Sequence, residues 1–217
     1  LDENKLIVCL DAGHGGKDNG SDYRLRYEKN DNLKITQAVA AYLADKENIQ
    51  VIMTRSDDTF LSLEERTSFA NQNNADYFVS LHRNTGEGNG VETWIRSDAD
   101  DKAQALAKNI MDNLDAAGIS RNRGVKKGTQ KSESKDYYVN LHTNMPACIV
   151  ELGFMNSPTD NQLFDANIDS YAKAIGDAVL KTYESYGKDG ADAKESVEDV
   201  PGTEEQTSTE TGTGTTG

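Results

Sequence analysis

The sequence predicts an α/β fold: a mainly parallel twisted sheet of about six strands, helices on both faces, and an active site at the carboxyl ends of the strands. Two observations carry this. Short apolar runs (LIVCL, IQVIMTR, DYFVSLH and ACIVE) alternate along the chain with segments whose apolar residues recur at helical spacing, which is the pattern of βαβ units. LIVCL is apolar throughout rather than every second residue, as expected for a strand covered on both faces. No internal repeat with a period of roughly 20 to 50 residues points to a solenoid instead.

The elements follow in order. LIVCL, residues 6–10, is the first strand, and a glycine-rich loop runs from it to about Asn30. Ile35, Ala38, Val39, Tyr42 and Leu43 then share one helical stripe, on a helix ending near Asp45. IQVIMTR, from Ile49, is the second strand. Ser62 and Glu65 have capping-box spacing and open a helix that reaches about Asn73. DYFVSLH carries the third strand to His82. Beyond the glycine-bearing turn GEGNG, VETWI reads as an extended segment on a sheet edge. Ala103, Leu106, Ala107, Ile110, Met111 and Leu114 mark a long helix, with Gly118 as its terminator. YYVNL reads as a short strand and ACIVE as another. Ile168, Tyr171, Ala172, Ile175 and Val179 mark the closing helix.

Of the 217 residues, 1–186 form one domain, and 187–217 read as a disordered, acidic, Thr/Gly-rich tail or linker. The tail has no aromatic residue and carries two lysines against eight acids, leaving −8 of the total −14 on the domain. Both parts are acidic, which excludes nucleic acid and an anionic membrane surface as partners. No apolar run approaches the roughly 20 residues of a membrane helix. LDENK is not a signal peptide, so a leader removed earlier or a domain boundary would each account for the start. Cys9 and Cys148 lie inside the apolar runs IVCL and ACIV, as core thiols do.

Three apolar strands stop on a residue able to bind metal or move a proton: His14, His82 and Glu151. In an open α/β sheet the carboxyl ends of parallel strands share the edge where ligands bind. Glu28, placed in the loop ahead of the first helix, can reach back toward His14. His14, Glu28 and His82 then make a two-histidine, one-carboxylate set, the zinc-hydrolase pattern. Spacing leaves open that Glu28 only serves the helix dipole. Glu151 closes an apolar run, where lost solvation raises a carboxyl toward the range of a general base and acid. Asp11 either orients a ligand imidazole or caps a turn. A phosphate loop is excluded, because Lys17 is followed by Asp18 and no third glycine completes a dinucleotide motif.

The stretches LDAGHGGKDNG, YEKN, TRSDD, LSLEERTSFANQNNADYFVSLHRN, NRGVK and MPACIVELGFMNSPTDN, spread over residues 6–183, resemble the zinc-dependent N-acetylmuramoyl-L-alanine amidases of the Amidase_3 type. The resemblance implies zinc on His14, Glu28 and His82, Glu151 as the catalytic carboxylate, and peptidoglycan as substrate. The bond cut would join the lactyl group of N-acetylmuramic acid to L-alanine. Asn84, Arg83 and His142 are candidate substrate contacts. Arg83 and His142 depart from the small residue and the arginine of many relatives, which leaves the stem-peptide preference open. GEGNG leaves no room for the plugging helix of some relatives, and a constitutively open site without an activator is expected. The expected protein is a monomeric, secreted autolysin of a bacterial exterior or cell wall, with a phage endolysin as an alternative source. A wall-binding module without turnover and another zinc amide hydrolase, such as a metallopeptidase, remain the competing readings.

Overall fold

Leu6, Val8 and Leu10 pack into one apolar cluster while Ile7 and Cys9 pack into a second. The first strand therefore needs apolar residues at every position, because its alternating side chains meet helices on both faces. In the computed structural model, which describes residues 5–130 and 134–187, that strand is β1 (Leu6–Ala12). It is followed by a small hairpin, β2 (Asp22–Tyr23) and β3 (Arg26–Tyr27), then α1 (Glu28–Ala44), β4 (Ile49–Met53), α2 (Leu63–Gln72), β5 (Tyr77–Asn84) and β6 (Val91–Ile95). The rest is α3 (Asp101–Ala116), β7 (Asn122–Lys127), α4 (Tyr138–His142), β8 (Ala147–Phe154), α5 (Pro158–Ala166) and α6 (Ile168–Tyr186).

The main sheet has six strands in the order β4-β1-β5-β8-β6-β7. Every pairing is parallel except β6 with β8. One face packs on α1, α3 and α6 through Ile35, Val39, Leu106, Ile110, Ile175 and Val179. The opposite face packs Cys9, Phe78 and Ile149 against Ala70 of α2 and Val139 of α4. Both cysteines are buried free thiols whose pKa values burial pushes up.

Several expectations are corrected. YYVNL is not a strand: Tyr138–His142 forms a single helical turn, with Val139 and Asn140 buried and Thr143 Oγ1 donating to the Val139 carbonyl. VETWI is an interior strand, buried at all five positions. The edge beyond it belongs to NRGVKK, whose two lysines, arginine and glycine suit a strand with one side open to solvent. Helix α1 starts at Glu28 itself; the amides of Glu28 and Lys29 donate to the carbonyls of Ser21 and Asn19, docking the glycine-rich loop onto the helix start. Ser157 and Pro158 open α5, which periodicity did not reveal. Beyond Gly187, the acidic tail lies outside the described residues.

Arg83 is turned inward rather than toward a substrate. Its guanidinium is fully buried, donating to Asp31 Oδ2 at 2.6 Å and to Asn161 Oδ1 at 2.7 Å, 4.3 Å from the centre of the Phe164 ring. Arg26 joins the same Asp31 and also Asp165, so one ion network ties β5, the small hairpin, α1 and α5 together. Removing one partner of a buried pair costs about 3–5 kcal/mol. Because Arg26 remains on Asp31, Arg83→Met is expected at the lower end, about 3 kcal/mol, read by urea denaturation. A loss below about 1 kcal/mol would show the network to be dispensable.

Candidate metal centre and catalytic cleft

Glu28 stands at the first position of α1, with its carboxylate held on both sides. Oε1 accepts from the Arg83 amide and from Asn32 Nδ2, both at 3.2 Å; Oε2 accepts from the Ser21 amide at 2.8 Å. Against this fixed group stand two imidazoles, His82 Nδ1 at 2.9 Å and His14 Nε2 at 3.3 Å from Oε1. The ring centroids are 5.0 Å apart and the planes 80° to each other. Ligands sharing a tetrahedral zinc at bonds of about 2.0–2.1 Å stand about 3.3 Å apart. One ligand atom from each of the three residues lies within 4.8 Å of the others, so the set fits a divalent ion in donor chemistry and spacing.

Glycines make the approach possible. A Cβ on Gly13 would lie 2.0 Å from His82 Cε1, and one on Gly20 would meet Glu28 Oε2 and His14 Cδ2 at 2.6 Å. His14 itself has a left-handed backbone, φ 60°. Two arginines hold the turn carrying it. Arg66 donates to the carbonyls of Ala12 and His14, and Arg55 to those of Ala12 and Gly13.

Of the two roles open to Asp11, it does not orient an imidazole. It lies behind the turn, accepting from Arg66 at 2.7 Å and from Thr54 and Ser80 at 2.6 Å. The orienting role falls to Asp18, whose Oδ2 is 2.7 Å from His14 Nδ1. Burial disfavours charge on His14, but Glu28 and Asp18 outweigh it and raise its pKa to about 9. The same imidazoles overcome burial at Glu28 and hold its carboxyl far below the usual carboxylate range.

His82 and Glu151 are not strand-end residues: β5 and β8 run on to Asn84 and Phe154. The parallel register puts them side by side, and β6 places Glu92 across from Glu151 on the other flank. Burial lifts the Glu151 carboxyl to about 7, opposed by His82 and reinforced by Glu28 and Glu92. Its Oε2 is buried and has no hydrogen-bond partner. Glu92, by contrast, accepts from Asn84, Trp94, Gln130 and Arg123. The cleft over these groups has a volume of about 760 Å³ and is lined by His14, Glu28, His82, Asn84, His142 and Glu151 among others. His14, Glu28, His82 and Glu151 are thus brought together, with Asn84 and His142 on the wall and the side chains of Asp11 and Arg83 engaged elsewhere. Sequence reasoning missed Asp18, Asn32, Arg55 and Arg66. The spacing of Asp18 four residues after His14 was the available signal.

Residues 8–181 match the family described as Amidase_3: N-acetylmuramoyl-L-alanine amidase. The chain belongs to this family. It is 36% identical over 182 residues to YqiI, an uncharacterized protein of Bacillus subtilis strain 168, covering 82% of this chain and 84% of that one. It is 33% identical to the probable cell wall amidase LytH of Staphylococcus aureus, covering 74% of this chain but only 52% of LytH, about half its length. Among solved structures, an N-acetylmuramoyl-L-alanine amidase from Clostridium difficile 630 is similar at TM-score 0.78 and 34% identity, over 85% of this chain and all of that one. The amidase fold accordingly accounts for the mixed six-stranded sheet and for the placement of its polar residues along one edge.

Two outcomes are expected for this amidase. Gly13→Ala pushes His82 aside and should weaken metal binding roughly 10-fold or more, the scale of lost orienting contacts, with the fold retained, as measured by chelator competition and circular dichroism. Burial opposes ionisation of Asp11, but Arg66, Ser80 and Thr54 keep its pKa below the ordinary value. A carboxyl with a lowered folded pKa contributes stability above its unfolded value, about 3.9, which is lost as pH falls through the folded pKa. Asp11→Asn should therefore be clearly less stable than the parent at pH 7, the gap closing below about pH 4 in denaturation profiles.

Proposed function

We propose that this amidase is a zinc hydrolase of bacterial peptidoglycan that cleaves the amide between the lactyl group of N-acetylmuramic acid and L-alanine, with Glu151 moving the proton. The observation that carries the reading is a carboxylate of raised pKa, with one buried oxygen unpartnered, beside a two-histidine, one-glutamate set on the same sheet edge.

His14, Glu28 and His82 would hold the ion, which when bound supplies Lewis acidity that polarises a carbonyl and acidifies a nearby water to a pKa of about 7. Glu28 keeps its orientation through Ser21, Asn32 and the Arg83 amide, and Asp18 keeps that of His14. Glu151 accepts a proton from the attacking water, whose oxygen bonds to the lactyl carbonyl carbon. As the C–N bond breaks, Glu151 returns that proton to the departing alanine nitrogen. Asn84, fixed by Glu92, and His142 contact substrate from the cleft wall.

Only six residues, 85–90, join β5 to β6, which supports a site that works without a partner to open it. We take it to be a secreted, monomeric autolysin; the cell wall relative supports the site of action, outside the cell or in the wall.

Glu151→Gln should retain one zinc per chain by elemental analysis while turnover falls at least ~100-fold, the usual general acid-base contribution. Near-native turnover would sink the role given to Glu151. On purified sacculi without any added partner, the parent should release fragments bearing free L-alanine amino termini by mass spectrometry, and a chelator should stop the release.

A further inference from the structure

The cleft exposes large apolar side chains, and the two arginines in its wall are ion-paired. Four large apolar side chains are exposed among the described residues, and three of them, Phe60 at 38%, Leu63 at 49% and Leu141 at 44%, line this one cleft. The rings of Tyr138 and His142 stack beside Leu141, with centroids 3.8 Å apart and planes within 17°. His142 Nδ1 lies 2.9 Å from the Tyr138 carbonyl, which fixes the ring in that stack.

Two arginines line the cleft, and neither is available. The side chain of Arg66 is 3% exposed and bound to Asp11; that of Arg83 is fully buried and bound to Asp31. Lys17 sits with its ammonium 4.5 Å over the Phe60 ring and does not line the cleft. Besides the two arginines and the three histidines, the titratable carboxyl groups of the lining are Asp11, Asp18, Glu28, Asp136 and Glu151. Glu28 and Asp18, one against the two imidazoles and the other against His14, would offset much of the charge of a bound divalent ion. A substrate carboxylate entering here loses water and meets no free cation among the described residues, and a buried unpaired charge is costly.

We infer that the cleft selects stem peptides in which the carboxyl nearest the cleaved bond is amidated. This rests on the amidase reading above. The second stem residue is a γ-linked D-glutamate, so its α-carboxyl lies one residue from the scissile amide and must enter the cleft. A carboxamide presents the same shape with no charge, and it donates as well as accepts hydrogen bonds.

The test uses two synthetic N-acetylmuramoyl peptides that differ only in a carboxylate or a carboxamide at the second residue, given to the zinc-loaded enzyme. The carboxamide is expected to have at least a tenfold higher kcat/KM, and the ratio should shrink as salt screens the charge. Binding to Glu151→Gln, followed by calorimetry, should show the same order in Kd. His142→Arg places a cation on the wall and should cut the ratio at least threefold by improving the carboxylate substrate. Lys17→Ala should leave the ratio within twofold. Equal or better use of the carboxylate by the parent, or a ratio that His142→Arg leaves in place, would overturn this inference while the amidase reading stands. Cleavage of neither peptide would overturn the amidase reading itself.

Discussion

The turn from Ala12 to His14 depends on two buried guanidiniums. Its three carbonyls point into the protein, and Arg55 and Arg66 between them satisfy all three. Asp11 neutralises Arg66 from behind, and Ser80 and Thr54 saturate Asp11 in turn. Without that arrangement a left-handed histidine next to two glycines would have many conformations. With it, His14 has one, and Glu28, bound by loop and helix together, meets it at a defined place.

The site is stiff around His14, Glu28 and His82 and plain beyond them. Around His14, Glu28 and His82 most polar atoms have assigned partners, and glycines stand where a Cβ would collide. Asn32 Oδ1 and Glu151 Oε2 are left unpartnered, and the Glu151 carboxyl has a pKa near neutrality. Leaving a buried polar atom unsatisfied costs free energy, and the role proposed for Glu151, taking up and releasing a proton, is where that cost would serve a purpose. Further along the cleft, exposed Phe60, Leu63 and Leu141 replace polar fixtures, so the reacting centre is specified by hydrogen bonds and the walls by shape and low polarity.

The sheet and the metal set were largely legible in the sequence, for one physical reason. Strands covered on both faces must be apolar without interruption, so β1 and β5 stand out, and a histidine closing such a run is conspicuous. What escaped had weaker local signals. The edge strand Asn122–Lys127 is polar because one side meets solvent, and VETWI took its place at the edge by default. Tyr138–His142 is one turn long, too short for a helical period to separate it from a strand. Arg83 follows the candidate ligand His82 in sequence and so reads as a substrate contact, yet strand alternation sends its side chain away from that of His82. Asp18 pairs with His14 through a turn held by mutual amide bonds between Gly15 and Asp18, which no periodicity encodes.

The position of β8 between β5 and β6 has a consequence for chain growth. The segment that fills the gap is the last strand to be made, after β6 and β7 on its far side. Until residue 154 has emerged, the open edge of β5 next to His82 has no neighbour, and the outer strands have nothing to dock against. A parallel core of this kind forms late and exposes sticky backbone meanwhile. The proposed ligands His14, Glu28 and His82 all precede that point and Glu151, proposed to move the proton, is on the inserted strand, so the two parts of the proposed centre meet only once β8 has docked.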